Sequence, residues 1–213
     1  IVMGGIHASV VPDEALAYAD TVFIGEAEHT FPEFINDYAK GKPQSVYRSD
    51  RFVDLKSLPV PRFDLVKKKY QNFPIQTTRG CPHKCKFCAA SLIYGEGYRY
   101  KDPDQVVDEI KYLKTIHPDP FIIFSDDNMF VNRSFSLPLL EKLIPLKIKF
   151  QSQTDISIGK DEKFLQLMSD AGCKEVFIGF ESLSPNVLEK YVQSRWKARH
   201  APDYQTLIQN IQD

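Results

Sequence analysis

Three cysteines crowd into one short stretch, Cys81-Pro-His-Lys-Cys85-Lys-Phe-Cys88. Thiolates are soft ligands that select zinc or iron–sulfur clusters over magnesium or calcium. A structural zinc site takes four protein ligands and usually closes with a second paired motif. No second Cys-x-x-Cys and no His-x-x-x-His follows. The fourth cysteine, Cys173, falls near the end of a predicted helix and reads as a small apolar residue. On a cubane cluster, three thiolates leave one iron open to a substrate or cofactor. Two other readings stay open here. One is a zinc-stabilised, non-catalytic interaction domain; the other is an electron-transfer cluster, which would need a fourth thiolate. His83, between two of the thiols, reads as an exposed loop residue, and His7 as a turn residue.

The thiols must be held by something, and from Phe73 onward strand and helix patterns alternate. Phe73–Thr77 reads as a strand that ends just before Arg79-Gly80 and the first thiol. Asp102-Pro103 opens a helix whose Val106, Val107, Ile110 and Leu113 share one face. Phe121–Phe124 is a short apolar strand that runs into Ser125-Asp126-Asp127-Asn128. Ser134–Leu143 follows as a helix and Lys147–Ile156 as a strand. A helix opened by Asp161 stops at Gly172; Glu175–Phe180 is a strand leading into Glu181-Ser182. Helices are expected from Ser184-Pro185 and over Tyr204–Ile211, with Arg195–His200 read as a solvated basic loop. Four βα units at about 35 residues each suit a parallel barrel, and a full barrel takes about 250 residues, so roughly the first half of one is expected.

Upstream, Ile1-Val-Met3 reads as a strand end running into Gly4-Gly5-Ile-His-Ala-Ser9. A short helix from Pro12, a buried strand Thr21–Ile24, the segment Gly25-Glu-Ala-Glu28 and a helix over Thr30–Tyr38 follow. Two strands cannot bury a core, so this domain is expected to begin further upstream. Val46–Arg48 and Arg51–Val53 suggest a small hairpin, Leu58-Pro-Val-Pro61 is extended, and Lys67-Lys68-Lys69 is a solvated face. The expected organisation is a Rossmann-like remnant over 1–42, a linker over 43–72 and a partial barrel over 73–213. The fold class is α/β: a partial parallel (β/α) barrel preceded by the C-terminal remnant of a Rossmann-like domain.

Composition narrows the function classes. The 213 residues are 43% apolar and 26% charged, as in ordinary globular proteins. A net charge of −1 argues against a surface that coats nucleic acid. No apolar run approaches the roughly 20 residues of a membrane span. No basic, then apolar, then small-residue leader opens the chain, so the expected compartment is the cytoplasm.

With the spacing Cys-x-x-x-Cys-x-Phe-Cys after the first strand of a partial barrel, the sequence resembles the radical S-adenosylmethionine superfamily. The resemblance implies that Cys81, Cys85 and Cys88 ligate a [4Fe-4S] cluster whose fourth iron chelates the amino and carboxylate groups of S-adenosylmethionine. It implies reductive cleavage of the sulfonium to a 5′-deoxyadenosyl radical that abstracts hydrogen from a small-molecule substrate, with a reductant such as flavodoxin or ferredoxin. Phe87 matches the aromatic position near the adenine. Ser125, Asp126 and Asp127 resemble the segment facing the methionyl end, although the family's commoner Gly-Gly-Glu is absent. Gly179-Phe-Glu181-Ser182 resembles the Gly-Ile-Glu-Ser segment that approaches the ribose and methionine. Gln153 and Asp155 have the polarity and parity to point into the barrel. Gly4, Gly5 and Gly25-Glu-Ala-Glu28 are similar to the closing part of the cobalamin-binding domain in one branch of the superfamily, with the glycine pair near the corrin's nucleotide tail. The implied enzyme is oxygen-sensitive and performs methylation or rearrangement at an unactivated carbon. A half barrel leaves an unpaired strand edge, open to self-association.

Overall fold

A computed structural model of the chain describes residues 1–66, 70–83, 85–95 and 97–212; the Lys67-Lys68-Lys69 reading lies outside them. The front of the chain builds a parallel sheet from β1 (Val2–Met3), β2 (Thr21–Ile24) and β3 (Val46–Arg48), in that order. Helices α1 (Ile6–Val10) and α2 (Pro12–Leu16) connect β1 to β2, and α3 (Ala27–Ala39) connects β2 to β3. Alternation along β2 gives the sheet two buried faces. Val22 and Ile24 pack with Ala8 and Ala15 on one side, whereas Phe23 packs with Phe34 and Tyr47 on the other. Val46–Arg48 therefore forms no hairpin with Arg51–Val53. Its side chains complete the two faces of β2, which a local ribbon could not offer.

The second sheet is a four-stranded parallel array, β4 (Asn72–Ile75), β7 (Phe121–Phe124), β8 (Lys149–Thr154) and β9 (Cys173–Ile178), hydrogen-bonded in that order. Helices α5 (Pro103–Ile116), α6 (Arg133–Leu143) and α7 (Glu162–Asp170) cover one face. Each starts at a side chain that accepts a backbone N–H: Asp102 from Asp104, Asn132 from Ser134 and Asp161 from Phe164. Phe73, Ile75, Ile122, Phe124 and Phe150 meet Ile110, Leu113, Leu139, Leu140 and Phe164 there, with the Phe124 and Phe150 rings edge-on at 5.1 Å. The opposite face carries the alternate residues, among them Asn72, Pro74, Gln151, Gln153, Glu175 and Phe177, and faces the trough of an open half barrel. Among the described residues β4 and β9 each have one sheet neighbour.

The expected strand Phe73–Thr77 is broken in two. After Ile75 the chain leaves the sheet, and β5 (Thr78–Arg79) pairs antiparallel with β6 (Arg99–Tyr100). The pair brackets the cysteine loop and the short helix α4 (Ala89–Tyr94). Strand β8 starts late because Lys147 turns left-handed, at φ 50°, and stops early because Asp155 caps a 3-10 turn over Ile156–Lys160. Cys173 is the first residue of β9 and not the end of the helix before it. Three helices close the chain: α8 (Pro185–Lys190), α9 (Arg195–His200) and α10 (Tyr204–Gln212). No described helix is long and apolar enough to cross a membrane.

The segment between the sheets is pinned by Asp64, which accepts from Arg62 at 2.6 and 2.7 Å and from Tyr112 of α5 at 3.2 Å. Hydrogen bonding from Arg62 is the main force holding the Asp64 carboxyl down at about 2, with Tyr112 adding to it against the opposing effect of burial. The folded value lies below the usual unfolded one of about 3.9, so this contribution is full above that value and lost as pH falls towards 2. Thermal unfolding of the parent and Asp64→Asn should therefore differ by a constant amount above about pH 5 and converge on acidification.

Candidate functional site

The four parallel strands of the second sheet end on one rim, and the cysteine loop lies across it. The loop begins at Gly80, which stands at φ 89°, where a side chain would be strained. A Cβ there would also meet the Gly97 carbonyl oxygen at 2.3 Å. All three thiols are free, with Cys85 buried and Cys81 and Cys88 half-buried; the Cys88 N–H donates to the Cys85 carbonyl at 3.0 Å. Burial pushes the Cys81 thiol up to about 11. The His83 N–H opposes this, while Asp127, Cys85 and Cys88 add to it.

Three carboxylates at two neighbouring strand ends hold the loop's flanks. Asp126 has no exposed surface. It accepts from the Thr77 N–H at 2.7 Å, the Thr77 hydroxyl at 2.6 Å and the Thr78 N–H at 2.7 Å. Burial lifts its carboxyl to about 6 despite these donors, and Asp127 adds to the rise. Asp127 is half-buried and accepts from the Gly80 N–H at 3.3 Å. Burial raises it too, against that donor and Arg79. Asp155, after β8, gathers three elements: its Oδ2 lies 2.7 Å from Asn128 Nδ2 and 3.3 Å from His83 Nε2, and its Oδ1 accepts from Ser157. Burial alone would push Asp155 up, but His83, Asn128 and Ser157 hold it well below the usual carboxylate range. His83 is thus half-buried and not an exposed loop residue. Its ring stacks on Trp196 of α9 at 4.5 Å.

Helix α9 replaces the solvated loop expected over Arg195–His200 and turns Lys197 inward, 8% exposed. Ser194 caps it by accepting the Lys197 N–H at 3.4 Å. Lys197 Nζ donates to Glu181 Oε1 at 2.6 Å and to the Gly179 carbonyl at 2.8 Å, and lies 5.9 Å from the Phe87 ring centroid. Glu181 stands at φ 62°, an uncommon backbone for a residue with a side chain. A Cβ at Gly179 would meet its carboxylate at 2.5 Å. Ser182 is half-buried, and its hydroxyl accepts the Ser184 N–H at 3.1 Å.

The rim therefore brings together Phe87, Glu181 and, through Gly80, Asp127, whereas Asp126 is turned into the protein. Ser125 and Gln153 are exposed at the ends of β7 and β8. Phe87 is 58% exposed on the loop. Gly4 and Gly5 stand apart at the end of β1. There Ser9 donates to the Gly5 carbonyl at 2.8 Å and accepts the Gly25 N–H at 3.0 Å, joining the two glycine turns. A cavity of about 380 Å³ opens at these front strand ends, lined by Ser9, Gly25, Glu26, Arg48, Phe52 and, from α4, Ile93. A larger one of about 690 Å³, between α7, β9 and α10, includes Cys173 and none of the candidate residues.

The donor set fits an iron–sulfur cluster. Three free thiols sit on one loop, close enough for Cys81 to sense the charge of the other two. Among the described residues no three His, Cys, Asp or Glu side chains converge as the shell of one ion. Thiolates of a cubane bind one iron each and need not converge on a point. Residues 75–210 match the model of the radical SAM superfamily. The chain belongs to that superfamily.

Relatives of this radical SAM chain include the bacteriochlorophyllide d C-12(1)-methyltransferase of Chlorobaculum tepidum, 28% identical over 99% of this chain and 47% of the relative. The hopanoid C-2 methylase of Rhodopseudomonas palustris is 27% identical over 89% of this chain and 38% of that protein. The fold is similar to that of the radical S-adenosylmethionine methyltransferase TsrM from Kitasatospora setae, solved with cobalamin and a [4Fe-4S] cluster bound. The TM-score is 0.73 at 17% identity, covering 99% of this chain and 49% of that one. The chain spans about half the length, or less, of the relatives it matches.

Sequence reading missed Lys197 and the Asp155–His83–Trp196 contact, because both depend on where α9 folds back. It also gave Asp126 and Ser125 the same role. If Asp126 braces the strand ends, Asp126→Ala leaves the Thr77 and Thr78 N–H groups unpaired and costs about 2–4 kcal/mol in urea unfolding. Ser125→Ala should stay within about 0.5 kcal/mol.

Proposed function

We propose that Cys81, Cys85 and Cys88 hold a [4Fe-4S] cluster and that S-adenosylmethionine lies between their loop and the ends of β7, β8 and β9. The observation that carries this reading is the free-thiol loop facing Glu181 and Lys197 across the rim. When bound, the cluster supplies the electron that cleaves the sulfonium to a 5′-deoxyadenosyl radical. The chain's own residues bind and orient. Lys197 offers a buried cation for a carboxylate, Asp127 and Glu181 offer anionic acceptors for an ammonium or ribose hydroxyls, and Phe87 offers an apolar ring to a base. Ser125, Gln153 and Ser182 add polar contacts along the rim. Asp126 and Asp155 fix the loop and strand ends without needing to touch the ligand.

The front cavity, which Gly5 reaches through Ser9 and beside which Gly4 stands, is assigned to part of a cobalamin, and the reaction to methylation at an unactivated carbon of a small molecule, with rearrangement as the second outcome. The names of the related methyltransferases and methylase support methyl transfer. A flavodoxin- or ferredoxin-type protein would deliver the electron, in the cytoplasm. Among the described residues β9 has no neighbour on its outer side and exposes Phe177 on its trough face, which favours self-association.

Anaerobic reconstitution tests the reading. Iron and sulfide at about four each per chain are expected, and Cys85→Ala should lose most of both; one zinc without sulfide would overturn it in favour of an interaction domain. Lys197→Ala should retain the cluster yet bind S-adenosylmethionine about tenfold or more weakly in equilibrium dialysis, since a hydrogen bond to a charged group is worth about 1.5–3 kcal/mol.

A further inference from the structure

One buried ionic lattice joins the end of the front sheet to the β5–β6 ribbon, and none of the chemistry above uses it. Glu26, directly after β2, has a side chain only 1% exposed. Its Oε1 lies 3.3 Å from Arg79 NH1 and 2.5 Å from Arg99 NH2, and its Oε2 accepts from Arg99 NH1 at 3.0 Å and the Val53 N–H at 2.7 Å. Arg79 NH2 also reaches Glu28 Oε1 at 2.8 Å, and the same guanidinium donates to Gln76 Oε1. Arg99 donates further to the Val53 and Tyr94 carbonyls at 2.8 and 3.1 Å. Two carboxylates face two guanidiniums, so the lattice is neutral while every member stays in place.

The location of these charges matters more than their number. Arg79 and Arg99 are paired across the β5–β6 ribbon, and Arg79 immediately precedes Gly80-Cys81. Glu26 occupies the position that begins α3, where a side chain ordinarily accepts one of its own helix's N–H groups. It makes no such bond and is committed instead to the ribbon. The same residue is part of the wall of the front cavity.

We propose that Glu26 is a positioning residue for the cysteine loop: through Arg79 and Arg99 it makes the seating of residues 80–88 depend on the front sheet. The proposal builds on the cluster-binding function assigned to that loop. Its mechanical part concerns the protein alone: a loop that must present three thiols in fixed relation is anchored at its entry by a side chain from another sheet. Arg is suited to this task, because its rigid planar fork holds several acceptors in fixed relation, which the point-like ammonium of Lys does not.

The test compares the 213-residue parent with Glu26→Gln, Arg99→Lys and a control, Tyr47→Phe, which removes the hydrogen bond from β3 to Asp37 of α3 and the acceptor for the Gln44 N–H. Hydrogen exchange on the metal-free chain reads loop seating, and the electron paramagnetic resonance spectrum of the reduced, reconstituted cluster reads thiol geometry. Glu26→Gln is expected to speed exchange across residues 80–88 by about tenfold or more and to broaden or shift the spectrum. Exchange in β7 and β8, and both readouts in Tyr47→Phe, should stay as in the parent. Parent-like exchange in Glu26→Gln overturns the inference, as does equal loosening of the loop by Tyr47→Phe. Should Glu26→Gln also melt β7 and β8, Arg99→Lys decides: a loosened loop over an intact core upholds the inference, and an unchanged loop overturns it. A parent chain that takes up no iron and sulfide would sink the functional reading, while the exchange measurement would still decide the role of Glu26.

Discussion

A buried carboxylate at the end of one strand, gripping the backbone of its neighbour, is the constraint on which the rest of this structure depends. Asp126 takes up both the Thr77 and Thr78 N–H groups, so those amides are lost to the sheet ladder and the chain leaves β4 two residues sooner than its apolar pattern suggests. That departure starts the β5–β6 ribbon, and the ribbon delivers Gly80 and the first thiol to the rim. Placing an ionisable group where no water reaches is costly, and its three hydrogen bonds are what make the arrangement tolerable.

The same logic recurs around the rim. Asp155 draws Asn128, Ser157 and His83 together, tying the end of β8 to the cysteine loop. Glu181 and Lys197 tie the end of β9 to α9. Each of these anions serves a strand terminus, where parallel sheets expose unsatisfied backbone groups and where ligands bind in folds of this kind. The site is a ring of electrostatic braces with apolar packing behind it, supplied by Phe124, Phe150 and Phe164.

What the sequence made legible and what it hid follow from distance along the chain. The face of Val106, Val107, Ile110 and Leu113 and the cap at Asp102 are local patterns, and α5 forms where they indicate. The thiol spacing is likewise local, and it sufficed to point to the family. The break between β4 and β5 depends on a side chain 49 positions away, and the lattice at Arg99 on one 73 positions away. No window of periodicity contains either. Arg195–His200 looked like a solvated basic run because its composition is that of an exposed helix or loop. Lys197 is buried only because Glu181 and the Gly179 carbonyl, reached across the turn of α8, give its ammonium two acceptors. Val46–Arg48 was mistaken for half of a ribbon for the same reason: its partner β2 lies beyond α3.

Among the described residues β9 pairs only with β8, so a strand laid along its outer side would meet backbone donors and acceptors in a row, whatever its origin. Backbone groups do not fix alignment, because they repeat every two residues. Phe177 does, since it is the large apolar side chain on the trough face of that strand, and sliding the newcomer by a single residue would exchange inward and outward side chains along its whole length. The register of any strand added there would therefore be set less by the ladder than by how its side chains meet that one aromatic ring.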